Sequence, residues 1–191
     1  MSVTIGVLGI QGDFGLHQKA LQRIGVKALV VRYTEELDRC AGLIIPGGES
    51  TTFVKLLQKT GLFEGIRSFG QTRPVMGTCA GLITLATRIS NDGFETLGLI
   101  DIEVERNSYG RQVDSFVDTI RIPVFEDKPE FEGVFIRAPR IRTLGAGIET
   151  LGFHGDEVVM VRNDRVLAMT FHPELTHDGR IHRYFVETIA G

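Results

Sequence analysis

The segment that most clearly could do chemistry is residues 77–81, which read Gly-Thr-Cys-Ala-Gly. A nucleophile flanked by small residues in this way is typical of a sharp turn from a strand into a helix, where its side chain is held strained and exposed. The start of the helix adds positive potential, which favours a thiolate. We therefore predict that Cys79 is a nucleophile and that the backbone N–H of Ala80 stabilises an oxyanion.

The second cysteine, Cys40, lies just before an apolar strand and has no such turn around it. A free cysteine without a special environment usually behaves as a small buried hydrophobe, and we interpret Cys40 in this way. Since the chain has two cysteines and no Cys-x-x-Cys pair, we expect reduced thiols, no disulfide framework and no metal site.

A cysteine nucleophile needs a base, and the base needs a third group that fixes its tautomer. Among five histidines, His172 directly follows an apolar stretch that predicts a strand, and open α/β sheets place their sites at the carboxyl ends of strands. Pro173 restricts His172 to extended backbone, in which the side chains of His172 and Glu174 point to the same side. We predict His172 as the base and Glu174 as its orienting group.

Taken alone, the motif Phe-His-Pro-Glu is more typical of a loop histidine beside a helix-capping glutamate. The other histidines have no predicted role: we interpret two as surface or hydrogen-bonded residues of helices, one as a neighbour of a helix cap and one as a turn residue, namely His17, His182, His177 and His154.

A glycine-rich loop, residues 46–50 (Pro-Gly-Gly-Glu-Ser), follows an apolar strand and precedes a helical pattern. Its two glycines let the backbone approach a ligand closely and aim N–H groups at it. A phosphate loop is the obvious rival, but the Gly-x-x-x-x-Gly-Lys pattern is missing and Glu49 would repel a phosphate. Ser50 is predicted to cap the following helix.

Apolar runs and helical spacing predict the elements that position these residues. Strands are predicted at residues 3–10, 26–31, 42–45 and 74–76, and helices at residues 13–24, from Ser50 onward and at 78–87. Such alternation implies a mainly parallel sheet with helices on both faces.

After Leu97 the segments alternate apolar and polar residues more clearly, which predicts antiparallel strands added to the same sheet. These strands are expected at residues 99–105, 115–123, 133–136, 157–161 and 165–171, before a final helix at 180–190. No repeat or linker interrupts the pattern, so we expect an α/β fold with one domain over residues 1–191.

Composition excludes several classes of protein. The chain has 191 residues, of which 42% are hydrophobic and 24% charged, as in ordinary globular proteins. A net charge of −3 without a basic stretch argues against a nucleic-acid partner. We see no signal-peptide pattern and no apolar run long enough to cross a bilayer, so we expect a cytoplasmic protein without a membrane partner.

Taken together, the segments at residues 46–50, 77–81 and 171–174 resemble class I glutamine amidotransferases. Four segments are similar, more narrowly, to the glutaminase subunit of pyridoxal 5'-phosphate synthase: residues 9–13 (Gly-Ile-Gln-Gly-Asp), 47–52 (Gly-Gly-Glu-Ser-Thr-Thr), 106–112 (Arg-Asn-Ser-Tyr-Gly-Arg-Gln) and 135–139 (Phe-Ile-Arg-Ala-Pro). The resemblance covers essentially the whole chain and shows no departure at the motif positions.

The resemblance implies a flavodoxin-like fold and a Cys-His-Glu triad of Cys79, His172 and Glu174. It implies that glutamine is held by six residues: Gly47, Gly48, Glu49, Arg106, Ile136 and Arg137. Charge agrees in part, because an arginine suits the α-carboxylate of glutamine and Glu49 suits its α-ammonium. By itself, each arginine is more typical of a solvated surface charge.

The activity implied is hydrolysis of L-glutamine to L-glutamate and ammonia through a glutamyl thioester, with the N–H groups of Gly48 and Ala80 as oxyanion hole. No cofactor is implied, and the ammonia would pass to a barrel-shaped synthase subunit that builds pyridoxal 5'-phosphate. Two alternatives stay open. One is a glutaminase of another synthase, such as the histidine-pathway one, against which residues 106–112 argue. The other is a non-catalytic glutamine-binding subunit, against which the intact triad argues.

Overall fold

The structure, a computed structural model, describes residues 3–90, 94–106 and 115–190. Twelve strands lie in this part of the chain: β1 Thr4–Leu8, β2 Lys27–Val31, β3 Gly42–Ile45, β4 Val75–Thr78, β5 Ala86–Ile89, β6 Ile100–Glu105, β7 Ser115–Arg121, β8 Glu130–Ile136, β9 Arg140–Leu144, β10 Glu149–His154, β11 Glu157–Arg162 and β12 Val166–Met169. The α-helices in the same residues are α1 Phe14–Arg23, α2 Ser50–Thr60, α3 Leu62–Thr72, α4 Ala80–Leu85 and α5 Arg180–Tyr184. Short 3-10 helices cover Thr34–Arg39 and Pro173–Leu175, and a π-helical turn, Phe185–Ile189, continues α5.

The central sheet has nine strands in the described residues, in the order β2-β1-β3-β4-β12-β11-β10-β7-β8. The first five run parallel, and β11, β10, β7 and β8 add antiparallel pairs at one side. The predicted α/β fold, with a parallel sheet extended by antiparallel strands, is confirmed. One strand is corrected: the strand expected at residues 165–171 among the antiparallel additions, β12, runs parallel to β4 and belongs to the parallel half.

Helices cover both faces of the parallel half, as the sequence predicts. In β3, Leu43 and Ile45 pack into the core that includes Phe53 of α2, whereas Ile44 packs into the opposite core with Leu21 of α1. A strand whose neighbouring side chains all enter a core must be apolar throughout, which explains the continuous run at residues 42–45.

A second sheet corrects two predictions. Among the described residues, β5, β6 and β9 form a three-stranded sheet apart from the central one, so residues 99–105 do not extend the main sheet. The helix predicted at residues 78–87 ends at Leu85, and Ala86 begins β5, where it pairs with Ile100. The hydroxyl of Thr87 donates to the carbonyl of Ile102, so pairing with a distant strand overrides the local helical spacing.

Three of the α-helices and strands lie where no element was predicted: α3, β9 and β10. Helix α3 contains Gly65 and Gly70, which lower the helical tendency although its apolar residues have helical spacing. Strand β10 is interrupted by Gly152, at which the pairing with β11 shifts register. In the part of the chain that the structure describes, no helix combines the length and the apolar character needed to cross a bilayer.

The order of the strands brings the three chemical segments together. Strands β3, β4 and β12 are parallel neighbours, with Ile45 opposite Gly77 and Thr78 opposite Met169. The glycine loop follows β3, the cysteine turn follows β4, and the His-Pro-Glu segment follows β12. Because the carboxyl ends of parallel strands meet at one edge, these segments, far apart in sequence, form one site.

Candidate active site

The turn between β4 and α4 holds Cys79 in a strained conformation, with φ of 50° and ψ of −104°. A conformation of this kind costs about 1–3 kcal/mol and persists only where its surroundings enforce it. The flanking glycines are required by space: a Cβ on Gly81 would lie 2.1 Å from the carbonyl oxygen of Ile45, and a Cβ on Gly77 would lie 2.5 Å from Leu85 Cδ1. The structure therefore places Cys79 on the sharp strand-to-helix turn that the sequence predicts.

The side chains of His172 and Glu174 form a direct hydrogen bond. Nδ1 of His172 lies 2.7 Å from Oε1 of Glu174, and both residues are buried, with 4% and 3% of their surfaces exposed. The opposite ring nitrogen, Nε2, is buried and makes no hydrogen bond of normal geometry within the described residues. This nitrogen is therefore available to the side chain of Cys79. In the structure the thiol of Cys79 donates a weak hydrogen bond to the carbonyl of Ile136 at 3.7 Å. The hydrogen bond between a nucleophile and its base is often long or poorly aligned before a substrate binds.

The charge state of the pair follows from its surroundings. Burial works against the imidazolium form of His172, but the hydrogen bonds and charges of Cys79 and Glu174 outweigh it and raise the pKa of His172 to about 10. Burial likewise works against the Glu174 carboxylate, yet His17 and His172 together lower its pKa. The arrangement favours the imidazolium form of His172, which suits a group that must donate a proton to a leaving amine.

The glycine loop packs against the imidazole. A Cβ on Gly47 would lie 2.3 Å from Cε1 of His172, so only glycine leaves room for the ring. Gly48 has φ of 153°, a backbone conformation that favours glycine. A Cβ on Gly12 would lie 1.8 Å from the carbonyl oxygen of Gly47. The glycine loop therefore also packs closely against the turn at residues 11–12.

Glu49, rather than Ser50, caps helix α2, which corrects the predicted cap. The carboxylate of Glu49 accepts hydrogen bonds from the backbone N–H groups of Thr51, at 3.1 Å, and Thr52, at 2.7 Å. Hydrogen bonds from Thr52, and further ones from Thr51, lower the pKa of Glu49 to about 2, so it keeps its charge. Arg106 Nη2 lies 3.4 Å from the same carboxylate. Ser50 is itself the first residue of the helix, and the carboxylate of Glu49 binds both N–H groups at once.

An open cleft of about 200 Å³ collects most of the predicted site residues. Seven of them line it: Gly48, Glu49, Cys79, Arg106, Ile136, Arg137 and His172. Gly47 lies against His172, Glu174 stands behind it, and Ala80 is the first residue of α4. Arg137 has a positive φ of 41°, which is uncommon for a residue with a side chain. Residues 107–112 of the resemblance lie outside the described residues.

A sequence model of the SNO glutamine amidotransferase family matches residues 7–191. The chain belongs to this family.

Relatives within the family agree over nearly the whole length. A pyridoxal 5'-phosphate synthase subunit PdxT from Thermotoga neapolitana is 49% identical over 186 residues, covering 97% of this chain and 98% of the relative. A subunit of the same name from Pelotomaculum thermopropionicum is 52% identical over 184 residues, covering 96% and 93%. The resemblance noted in the sequence is therefore confirmed.

Solved structures agree on the fold. A crystal structure described as a glutamine amidotransferase superposes with a TM-score of 0.91 at 47% identity, covering 98% of each chain. A putative GMP synthase subunit from Thermoplasma acidophilum superposes with a TM-score of 0.72 at 18% identity, covering 97% of this chain and 93% of that one. The second likeness concerns the fold alone.

Three residues of the cleft in this glutamine amidotransferase were not predicted: Asp13, Ser50 and Ile83. Each had a signal in the sequence. Asp13 ends the segment at residues 9–13 that resembles the family, Ser50 belongs to the glycine loop, and Ile83 lies one helical turn after Cys79. His17 and His182 were predicted to be surface or hydrogen-bonded residues, and the structure confirms the second alternative, because both are hydrogen-bonded and fully buried.

We expect Gly47→Ala to lower the glutaminase rate of this glutamine amidotransferase by about 100-fold, because the added Cβ must push the His172 ring away and a misplacement of about 1 Å can have that effect. Gly15→Ala is the matched control. Gly15 lies in helix α1, and a Cβ added there would meet no atom within 4 Å. Ammonia release measured with the synthase subunit present, with circular dichroism as a check of folding, compares the two. Equal rates in both variants would contradict the packing argument.

Proposed function

We propose that this glutamine amidotransferase hydrolyses L-glutamine to L-glutamate and ammonia and supplies the ammonia for the synthesis of pyridoxal 5'-phosphate. The observation that carries the proposal is the strained Cys79 beside the bonded His172–Glu174 pair, in a cleft open to a small substrate. The names of relatives that are about half identical over nearly the whole chain support the pathway.

The proposed reaction is an acyl transfer in two stages. The sulfur of Cys79 attacks the side-chain amide carbon of glutamine, and the resulting oxyanion accepts hydrogen bonds from the backbone N–H groups of Ala80 and Gly48. The C–N bond then breaks while His172 donates a proton, so ammonia leaves and a glutamyl thioester remains. Water, deprotonated by His172, attacks the thioester, and cleavage of the C–S bond releases glutamate and restores Cys79.

Charged residues at the other end of the cleft would hold the amino-acid part of the substrate. Arg106 or Arg137 would bind the α-carboxylate, and Glu49, which keeps its charge, would bind the α-ammonium. Asp13 supplies a second carboxylate at the cleft and is a further candidate for the ammonium. Gly47, Gly48 and Ile136 would shape the site with their backbone.

The proposed partner is a barrel-shaped synthase subunit, to which the ammonia would pass. We further propose that residues 1–191 form one domain and that the protein works in the cytoplasm, where the free thiols of Cys40 and Cys79 would stay reduced.

An ammonia-release assay with glutamine, run with and without the pyridoxal 5'-phosphate synthase subunit, tests the function directly. The expected result is ammonia and glutamate in equal amounts, formed fastest with that subunit. A parallel assay with the histidine-pathway synthase serves as the control for the partner. Activation by the histidine-pathway subunit alone would favour the other synthase, and glutamine binding without hydrolysis would favour a non-catalytic subunit.

We expect the isolated chain to be a slow glutaminase that its partner accelerates, because ammonia made without an acceptor is wasted. The glycine loop offers the means: Gly47 and Gly48 can change conformation, and the loop rests on the turn of Gln11 and Gly12, which a docked subunit can contact. A partner that favours the productive loop must bind that state more tightly.

Linkage makes this expectation measurable without turnover. If the partner favours the glutamine-binding state, glutamine must tighten the complex, by about 5-fold or more for typical coupling. A Cys79→Ala variant keeps glutamine intact during two calorimetric titrations against the synthase subunit, one with saturating glutamine and one without. Equal affinities, together with a full rate in the isolated chain, would contradict the expectation.

A further inference from the structure

Two buried histidines lie next to Glu174 of the proposed triad. His17 belongs to α1 and His182 to α5, and neither has any exposed surface. Nδ1 of His17 lies 3.0 Å from Nε2 of His182, and Nε2 of His17 lies 3.4 Å from Oε2 of Glu174 and 3.3 Å from Oγ1 of Thr78. A continuous chain of side chains therefore runs from His182 through His17 and Glu174 to His172.

The tautomers of this chain follow from counting donors. If Nε2 of His182 donates to Nδ1 of His17, the proton of His17 sits on Nε2, which can donate to Oγ1 of Thr78 at 3.3 Å. Oε2 of Glu174, which has no hydrogen-bond partner in the described residues, lies 3.4 Å from the same nitrogen. The reverse assignment leaves an N–H on Nδ1 of His182, a buried atom without a partner in the described residues, and turns a lone pair of His17 toward a carboxylate. The first arrangement is the more stable one.

Both histidines are neutral in this setting. Burial lowers the pKa of His182 to about 3 and also lowers the pKa of His17, against the opposing charge of Glu174. A neutral His17 can act as a hydrogen-bond donor to the carboxylate without competing with His172 for its charge. Each oxygen of Glu174 then faces one imidazole, Oε1 that of His172 and Oε2 that of His17.

We infer that His17 is a positioning residue for the proposed glutaminase reaction: its Nε2–H, fixed by His182, holds the Glu174 carboxylate in the orientation in which it binds His172. The expected effect on the reaction rests on the proposed function. The tautomer and the contacts of His17 do not, because they exist without substrate. A shared metal ion is a poor explanation of the cluster, because the two rings are within direct hydrogen-bonding distance and no group of three or more metal-binding side chains is found in the described residues.

Substitution at His17 tests the role through its kinetic signature. His17→Leu removes the donor at nearly constant volume and is expected to lower kcat by about 10- to 100-fold with KM little changed, since an N–H dipole 3.4 Å from the buried carboxylate is lost. His17→Gln places an amide N–H near the same point and is expected to restore most of kcat. His177→Gln is the matched control, because His177 is exposed and lies outside the chain of contacts. Equal losses in His17→Leu and His17→Gln, or a loss confined to KM, would overturn the inference.

The pH profile separates positioning from a general loss of packing. The titratable groups that face Glu174 are His172 and His17. Asp13 and His172 act on His17, Cys79 acts on His172, and His17 and Arg23 act on His182. Without the donor, the Glu174 carboxylate is less stable and its pKa rises, so the acid limb of kcat/KM moves to higher pH in His17→Leu. An unmoved acid limb with reduced kcat would mean that His17 serves packing alone.

Nuclear magnetic resonance of the chain labelled with 15N-histidine gives a reading that needs no activity. The expected spectrum shows His17 protonated on Nε2 and unprotonated on Nδ1, with cross-peaks assigned by their loss in His17→Gln. The opposite tautomer would overturn the inference. If the labelled protein shows the expected tautomer but releases no ammonia from glutamine with any synthase subunit, the proposed function fails while the contacts of His17 stand.

Discussion

Replacing Cys79 by alanine is expected to abolish ammonia release from glutamine, lowering the rate by more than about 10⁴-fold, as loss of a nucleophile does in triad hydrolases. The change removes one buried sulfur whose hydrogen bond in the structure goes to the carbonyl of Ile136, so the fold should persist. The assay is run with the synthase subunit present. Glutamine binding by the variant, measured calorimetrically, should remain, because Cys79 acts in the chemical step.

Cys40→Ala is the matched control for Cys79→Ala. Cys40 is also buried, and its thiol donates to the carbonyl of Glu36 at 3.4 Å. Burial raises the pKa of Cys40 to about 11, so it stays an unreactive thiol. A glutamine-like alkylating agent should add its mass to the Cys79 peptide alone. Labelling of Cys40, with activity surviving in Cys79→Ala, would overturn the assignment of the nucleophile.

His172→Ala is expected to lower kcat by about 10⁴-fold or more, since both proton transfers pass through this imidazole and a general acid or base contributes up to about that factor. Glu174→Gln should lose less. The amide keeps the shape of this buried side chain but removes the charge that helps to raise the pKa of His172, and it favours the wrong tautomer. Both losses should appear mainly in kcat, measured over a range of glutamine concentrations with the synthase subunit.

His154→Ala is the control for the base. His154 bonds to Asp118 at 2.9 Å, at the exposed side of the antiparallel strands and away from the cleft residues. Its loss should leave kcat nearly unchanged. A His172→Ala variant that retains most of the wild-type rate would mean that another histidine is the base.

The reactive segments could be predicted because their requirements are local. A nucleophile on a strand-to-helix turn needs small neighbours, and Gly77 and Gly81 stand where any Cβ would strike the backbone or Leu85. His172 and Glu174 are two residues apart with a proline between them, so their common direction also follows from neighbouring residues. The buried strand at residues 42–45 was predicted with its correct bounds, because a strand covered on both faces is apolar at every position.

Errors arose where partners far apart in sequence decide the outcome. Residues 86–89 become a strand because β6 pairs with them, and this pairing is invisible in the helical spacing around Ala86. The cap of α2 is Glu49 because its carboxylate reaches two N–H groups and also meets Arg106, whose position depends on the end of β6. The cap differs in kind, because its two hydrogen bonds are local: the general preference for serine caps favours Ser50, but the carboxylate of the preceding residue, Glu49, binds the N–H groups of Thr51 and Thr52.

The sequence by itself predicted which residues could do the chemistry of the candidate site, because residue type and short spacing indicate a nucleophile, a base and its orienting group. Only the tertiary structure decided what stands behind them. His17 shares a helix face with Ala20 and Leu21, a spacing that hints at burial, but a polar ring in that pattern is equally compatible with the surface. Its partner His182 is 165 residues away, and the two meet only because α1 and α5 pack on the same face of the sheet. A hydrogen bond between distant residues depends on the packing of whole elements, which no local pattern encodes.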